Sequence, residues 1–381
     1  MRLRVAGAAG MEITVRHAEV LEPDGNLYIT NLRTARATDR FILTGGGEEL
    51  FEPHFTFHGF RYVGITGWPG ALDAASLVGV VLHSDMAQTG EFSTSNPLIN
   101  QLQHNIEWGQ RGNFLDVPTD CPQRDERLGW TGDAQIFART ATFNFDVASF
   151  FTKWLSTVAD DQYPNGAVTW VSPDVLKGVD VIVPGVDTAG ATGWGDAITV
   201  IPWLLYQVYG DERILAEHYA HMVAWVEYMH RQEPEELRFG AGFHFGDWVA
   251  LDTMVDGNIY GATDVELIGT AYFAYSTDIV AKAARVLGRQ TDAQAYEDLH
   301  RRIVAYFQRE FLTPSGRLAS NTQTAYILAL TFDLLLRINA PKQRAALSNR
   351  SVARDATGDW FSGHTVSLLC TESKWLSGCR V

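Results

Sequence analysis

Cysteine is scarce. Cys121, Cys370 and Cys379 are the only ones in 381 residues, an odd number with no Cys-x-x-Cys and no Cys/His pair at ligand spacing, so neither a disulfide framework nor a zinc site organises the chain. Long apolar runs are lacking too, and no membrane span is expected. The opening Met1-Arg-Leu-Arg-Val-Ala-Gly-Ala-Ala-Gly-Met11 is basic but has no apolar segment of signal-peptide length, which makes the cytoplasm the default location. Basic residues are outnumbered: 30 Lys and Arg face 45 Asp and Glu, a net charge of −15. That balance argues against nucleic acid and anionic membranes as partners and suits a neutral ligand. Walker-type loops, dinucleotide fingerprints, heptads and short tandem repeats are all missing.

Aromatic residues are plentiful, at 12%. They offer flat faces for sugar rings or similar amphipathic ligands, and equally they fill cores; composition does not choose between the two.

Up to about residue 90 the chain alternates apolar and polar positions in short runs separated by Gly, Pro and Asp: Arg2-Leu-Arg-Val5, Glu12-Ile-Thr-Val-Arg16, Leu27-Tyr-Ile-Thr30, Arg40-Phe-Ile-Leu-Thr44, Phe60-Arg-Tyr-Val-Gly-Ile65 and Leu77-Val-Gly-Val-Val-Leu82. Period two predicts antiparallel strands, and a β-sandwich is the usual way to bury them. The sandwich is short of strands and opens in mid-pattern, so the chain is expected to begin inside a domain. After Asn96-Pro97, a good N-cap followed by proline in the first turn, the period becomes helical. Further helices are predicted at 134–143, 147–160, 196–209, 212–231, 264–287, 291–311 and 321–337. The expected fold is therefore mainly α with an N-terminal β region, the helices forming packed layers or an (α/α) barrel.

The densest charge lies in Asp120-Cys-Pro-Gln-Arg-Asp-Glu-Arg-Leu-Gly-Trp-Thr-Gly-Asp133. Pro122, Gly129 and Gly132 disfavour a helix, so this is read as an irregular, fixed loop, the usual seat of binding and catalytic groups. Asp120, Glu126 and Asp133 bring three carboxylates together; repulsion and partial burial would raise at least one, as a general acid requires. Glu126, flanked by Arg124, Asp125 and Arg127, is the candidate. Two plainer readings stand beside it: Asp133 caps a helix over Ala134–Arg139, and Asp120, Arg124 and Arg127 form a salt-bridge lock. Gly193-Trp-Gly-Asp196 and Phe245-Gly-Asp-Trp248 each join a Trp to an Asp, either as ligand walls or as packing plugs with a capping Asp.

The Asp120 to Asp133 segment resembles the signature of the bacterial α-L-rhamnosidases of glycoside hydrolase family 78. The resemblance extends back through Phe55-Thr-Phe-His-Gly-Phe-Arg-Tyr62, Asn31-Leu-Arg33 and His17-Ala-Glu-Val20, and forward through Trp194 and Trp248 to Asn321-Thr-Gln-Thr-Ala-Tyr326. It implies a β-sandwich segment (1–92) followed by an incomplete (α/α)6 barrel (93–363), with residues 364–381 an atypical tail. It also implies metal-free, cofactor-free inverting hydrolysis of a terminal α-L-rhamnoside or rhamnose-containing oligosaccharide. By motif position Glu126 is the general acid, Asp120, Arg124 and Asp133 hold the sugar hydroxyls, and Trp130, Trp194 and Trp248 wall the pocket. The family's late Glu general base has no counterpart here; Glu372 is the one carboxylate of the tail, and the chain is expected to be truncated at both ends. Two alternatives follow: a noncatalytic rhamnoside-binding remnant, with apolar faces such as Ala325-Tyr-Ile-Leu-Ala-Leu330 left unpartnered, or another (α/α)6-barrel glycosidase of trehalase or glucoamylase type.

Overall fold

The structure is a computed structural model that describes residues 1–179, 185–250 and 261–335. Two compact units emerge, one formed by Met1–Trp130 with Thr140–Phe150, the other by Thr131–Arg139 with the chain from Phe151 onward.

Before the first helix, eight strands of the first unit follow one another: β1 (Arg2–Ala6), β2 (Glu12–Ala18), β3 (Val20–Leu21), β4 (Leu27–Tyr28), β5 (Thr38–Ile42), β6 (Glu48–Phe51), β7 (Tyr62–Thr66) and β8 (Leu77–Val78). They pair antiparallel in two three-stranded sheets, ordered β6-β1-β8 and β5-β2-β7, with β3 and β4 as a separate ribbon. Because strand side chains alternate, Leu3 and Val5 of β1 and Ile13 and Val15 of β2 point inward and, with Leu43, form the buried core. Phe41 and Phe51 stack across it at 4.1 Å. Strand β6 follows Gly45-Gly-Gly47 and opens with two glutamates, a composition that hides it from a pattern search. The expected run to Leu82 ends as a strand at Val78.

A buried group sits on the β5-β2-β7 sheet. His17 Nδ1 bonds the Ala37 carbonyl at 3.1 Å, and His58 Nε2 bonds Asp39 at 3.0 Å. The two imidazoles lie face to face, centroids 4.2 Å apart and planes 26° from parallel. Their in-plane lone pairs therefore run side by side rather than converging, an arrangement for stacking rather than for sharing an ion.

Helix α1 (Pro97–Asn113) starts as its sequence predicts, with Asn96 Oδ1 accepting the Leu98 N–H at 2.9 Å. The other helices are α2 (Thr131–Asn144), α3 (Ala148–Asp161), α4 (Ala197–Tyr209), α5 (Glu212–Gln232), α6 (Val265–Val286), α7 (Gln290–Phe311) and α8 (Gln323–Thr331). Gly210, in the left-handed region at φ 70, ends α4, and Asp211 at once caps α5 by accepting the Arg213 N–H. Asp264 caps α6 in the same way through Leu267. Helix α6 is buried on most of its surface and packs against α4, α5, α7 and α8. At Gly269 a Cβ would fall 1.9 Å from the Phe239 carbonyl oxygen, so only glycine admits that segment so close to α6. Ala325, Tyr326, Leu328 and Ala329 of α8 are buried, while Ile327 and Leu330 are partly exposed. No helix among the described residues is long and apolar enough to cross a membrane. The atypical tail, with Cys370, Glu372 and Cys379, lies outside the described residues; the last predicted helix, 321–337, ends earlier than expected, at Thr331.

Candidate active site

The loop after Asp120 is closed at its neck by Asp120 itself. Its N–H donates to the Leu128 carbonyl at 3.2 Å and its Oδ1 accepts the Leu128 N–H at 3.1 Å. Four anchors then hold the loop to the β region of the same unit. Gly59 donates its N–H to the Pro122 carbonyl at 3.1 Å, and a Cβ at Gly59 would lie 2.7 Å from the proline ring. Thr34 gives both its N–H and its hydroxyl to one oxygen of Asp125. Arg127, at φ 56, donates to the Phe57 carbonyl at 2.9 Å and covers the Phe57 ring. Arg33 Nη1 reaches Glu126 Oε2 at 3.1 Å.

Within this frame Arg124 bridges two carboxylates, lying 2.8 Å from Glu126 Oε2 and 3.4 Å from Asp120 Oδ2. The indole N–H of Trp130 donates to Glu126 Oε1 at 3.1 Å. Asp120, Arg124, Glu126 and Trp130 are thus brought together. The raised carboxyl is Asp120, pushed up first by burial and further by the charge of Glu126. Burial also lifts the Cys121 thiol to about 11, which keeps it neutral. The salt-bridge lock is present with one change: Arg127 spends its guanidinium on the carbonyls of Arg124 and Phe57 and on a ring, not on a carboxylate.

Asp133 belongs to the second unit. The helix begins earlier than predicted, at Thr131, so Asp133 stands inside the first turn of α2 instead of capping it. There the exposed carboxylate meets the partial positive charge of the helix start. Thr131 fixes that start, its N–H and hydroxyl both directed at the Trp170 carbonyl. Gly132 lets Trp194 pack against the backbone, since a Cβ there would come within 2.8 Å of the indole.

Trp194 stacks on Phe245 at 4.1 Å, and Trp248 meets the same ring edge-on at 5.4 Å. Trp170 and Phe243 extend the cluster. Trp194 and Trp248 are therefore joined through Phe245. The two loops are tied at the backbone as well: Thr192 donates its N–H to His244 Nδ1 at 2.9 Å, while Nε2 of the same ring donates to the Ala241 carbonyl. Burial holds His244 below its ordinary range, in keeping with the neutral tautomer those bonds require. Asp247 accepts hydroxyl bonds from Thr263 and Thr324 and so anchors the backbone just before Trp248. Asp196 is at the N-cap position of α4 but makes no capping bond; fully buried, it serves the packing role. Trp194 Nε1 is buried and finds no hydrogen-bond partner among the described residues.

Sequence reasoning missed Arg33, His244 and Phe243. Arg33 and Phe243 lie inside or beside quoted segments but carry no spacing signal of their own, and His244 is recognisable only by what its two nitrogens touch.

The family model described as the bacterial alpha-L-rhamnosidase 6 hairpin glycosidase domain matches residues 87–365, and the concanavalin-like domain model of the same proteins matches residues 1–83. The chain is 45% identical over 360 residues to an α-L-rhamnosidase of Streptomyces avermitilis, covering 94% of this chain and 32% of that protein. It is 42% identical to an α-L-rhamnosidase of Formosa agariphila, covering 91% of this chain and 36% of the relative. The chain thus spans about a third of the length of these curated relatives. Among solved structures, the S. avermitilis enzyme complexed with L-rhamnose superposes with a TM-score of 0.84 at 44% identity, over 93% of this chain and 32% of that one. The native enzyme of Aspergillus terreus gives 0.86 at 38% identity, over 93% of this chain and 40% of that one. With a β-sandwich followed by helices of the (α/α)6 type and the Asp120 to Asp133 loop in place, the chain belongs to the bacterial α-L-rhamnosidases of glycoside hydrolase family 78.

Proposed function

We propose that this chain carries the acid half of an inverting hydrolase that releases terminal α-L-rhamnose from small-molecule rhamnosides or rhamnose-containing oligosaccharides. Glu126 gives its proton to the glycosidic oxygen as the bond to C1 breaks, while a second carboxylate, about 6.5 to 9.5 Å away in enzymes of this type, activates water on the opposite face of the ring. No carboxylate among the described residues is assigned that second role. Asp120, Arg124 and Asp133 hold sugar hydroxyls, and Trp130, Trp194 and Trp248 cover the apolar face and the C6 methyl. The domain division at residues 1–92 and 93–363 follows the same reading, with the cytoplasm as the default location.

One observation carries the proposal: Glu126 is held at both oxygens by the neighbours its motif supplies, Arg124 and Trp130. Its test is the rate of rhamnose release from an aryl α-L-rhamnoside. Glu126→Gln is expected to lower it about 10²- to 10⁴-fold with the fold intact, and an unchanged rate would sink the assignment. A second reading, binding without turnover, follows from the general base that no carboxylate among the described residues is assigned to supply. Calorimetry separates the two: saturable L-rhamnose binding with no release from the aryl glycoside selects binding alone.

A further inference from the structure

The hydrogen bonds on Glu126 are unevenly shared between its oxygens. Oε2 takes two guanidinium groups, Arg124 through Nε at 2.9 Å and Arg33 through Nη1 at 3.1 Å; Oε1 takes one neutral donor, the Trp130 indole, at 3.1 Å. A carboxylate offers about four lone-pair sites, two on each oxygen. The two sites on Oε2 are filled by cations and one of those on Oε1 by the indole, which leaves one site on Oε1 for a proton.

Arg33 is the unexpected member of this set. It comes from the β region, 93 positions before Glu126, and its backbone stands at φ 56, ψ −117, a conformation that favours glycine. The surroundings impose that conformation. Leu32 is buried, the Arg33 N–H donates to the Thr30 carbonyl, and the next residue, Thr34, is fastened to Asp125. An arginine is thus kept where glycine would fit with less strain, and its guanidinium ends on the carboxylate beside Trp130.

We propose that Arg33 is a positioning residue that acts through Glu126: it fills the remaining lone pair of Oε2 and so confines the transferable proton to Oε1, next to Trp130. This rests on the reading of Glu126 as the general acid. The other charged and titratable groups of the same unit around it are accounted for. Arg124 is shared with Asp120 and lies near Glu19, Asp125 is turned onto Thr34, Arg127 onto Phe57, and Cys121 is a neutral thiol beside Asp120. Arg33 is the one of these cations whose side chain is mostly exposed, at 56%, so it can be replaced without opening the loop's interior.

The test follows the Glu126 carboxyl carbon by NMR in the full chain with carbon-13-labelled glutamate, the signal being assigned by its loss in Glu126→Gln. Arg33→Gln is expected to shift this resonance at fixed pH, since a hydrogen-bonded cation has been removed from Oε2; Arg33→Lys, which keeps the charge and checks folding, should return most of that shift. An unmoved resonance in Arg33→Gln would overturn the proposal. In parallel, kcat on an aryl α-L-rhamnoside should fall in Arg33→Gln with KM little changed, and recover in Arg33→Lys. A resonance that shifts while kcat stays put keeps the Arg33 contact and overturns the role of Glu126 as acid.

Discussion

Asp196 accepts the indole N–H of Trp225 at 2.9 Å where neither residue is exposed to solvent. The same oxygen takes the Ser276 hydroxyl, and the other takes the Gly193 N–H at 2.8 Å. One carboxylate therefore joins α5, α6 and the turn that presents Trp194. Burial pushes this carboxyl up, and the three donors oppose that shift.

Asp196→Asn puts an NH2 group where an acceptor is needed and leaves at least one buried donor unpaired. The expected loss of unfolding free energy is about 2–3 kcal/mol, read by chemical denaturation. Because Gly193 is released as well, L-rhamnose binding should weaken together with stability. A variant as stable as the wild type would show that the buried network relaxes freely.

Gly132→Ala tests the contact beneath Trp194. The added Cβ meets the indole at 2.8 Å, and a ring stacked on Phe245 has little room to retreat. Overpacking of this sort costs about 1–3 kcal/mol. Rhamnose affinity should fall with it, measured by calorimetry alongside the thermal midpoint.

His218 predicts an acid-sensitive fold. It is buried on α5, neither ring nitrogen has a hydrogen-bond partner among the described residues, and burial lowers it to about 4 with the nearby His221 acting in the same sense. The unfolded chain takes up its proton near 6.5. Between these values the unfolded state binds more protons, so stability is full above about pH 6.5 and falls as pH drops toward 4, by up to about 3 kcal/mol from this residue. Burial lowers His17 and His244 as well, so the measurement that isolates His218 is the difference between wild type and His218→Leu in denaturation midpoints across this range. Parallel pH profiles would remove His218 as the cause.

The helices were legible because their signals are local. Asn96-Pro97 marks a helix start by capping chemistry that operates within one turn, and the structure starts α1 there. Strand β6 was not, because two glutamates on a short edge strand satisfy no alternation. The start of α2 was misread for a related reason: Thr131 and Gly132 look like loop residues until Thr131 finds the Trp170 carbonyl, 39 positions away. Asp196 was paired with Trp194 in its loop, yet its partners are Trp225 and Ser276 on other helices.

By itself the sequence determined the order of β region and helices, the fixed character of the loop that begins at Asp120, and the family. All of these depend on residue type and short-range spacing. Which carboxylate closes the loop, which cation faces Glu126 and which aromatic ring joins Trp194 to Trp248 were decided by tertiary structure alone. Hydrogen bonds and ring contacts form between groups that folding brings within a few ångströms, and their separation along the chain leaves no local trace of the pairing.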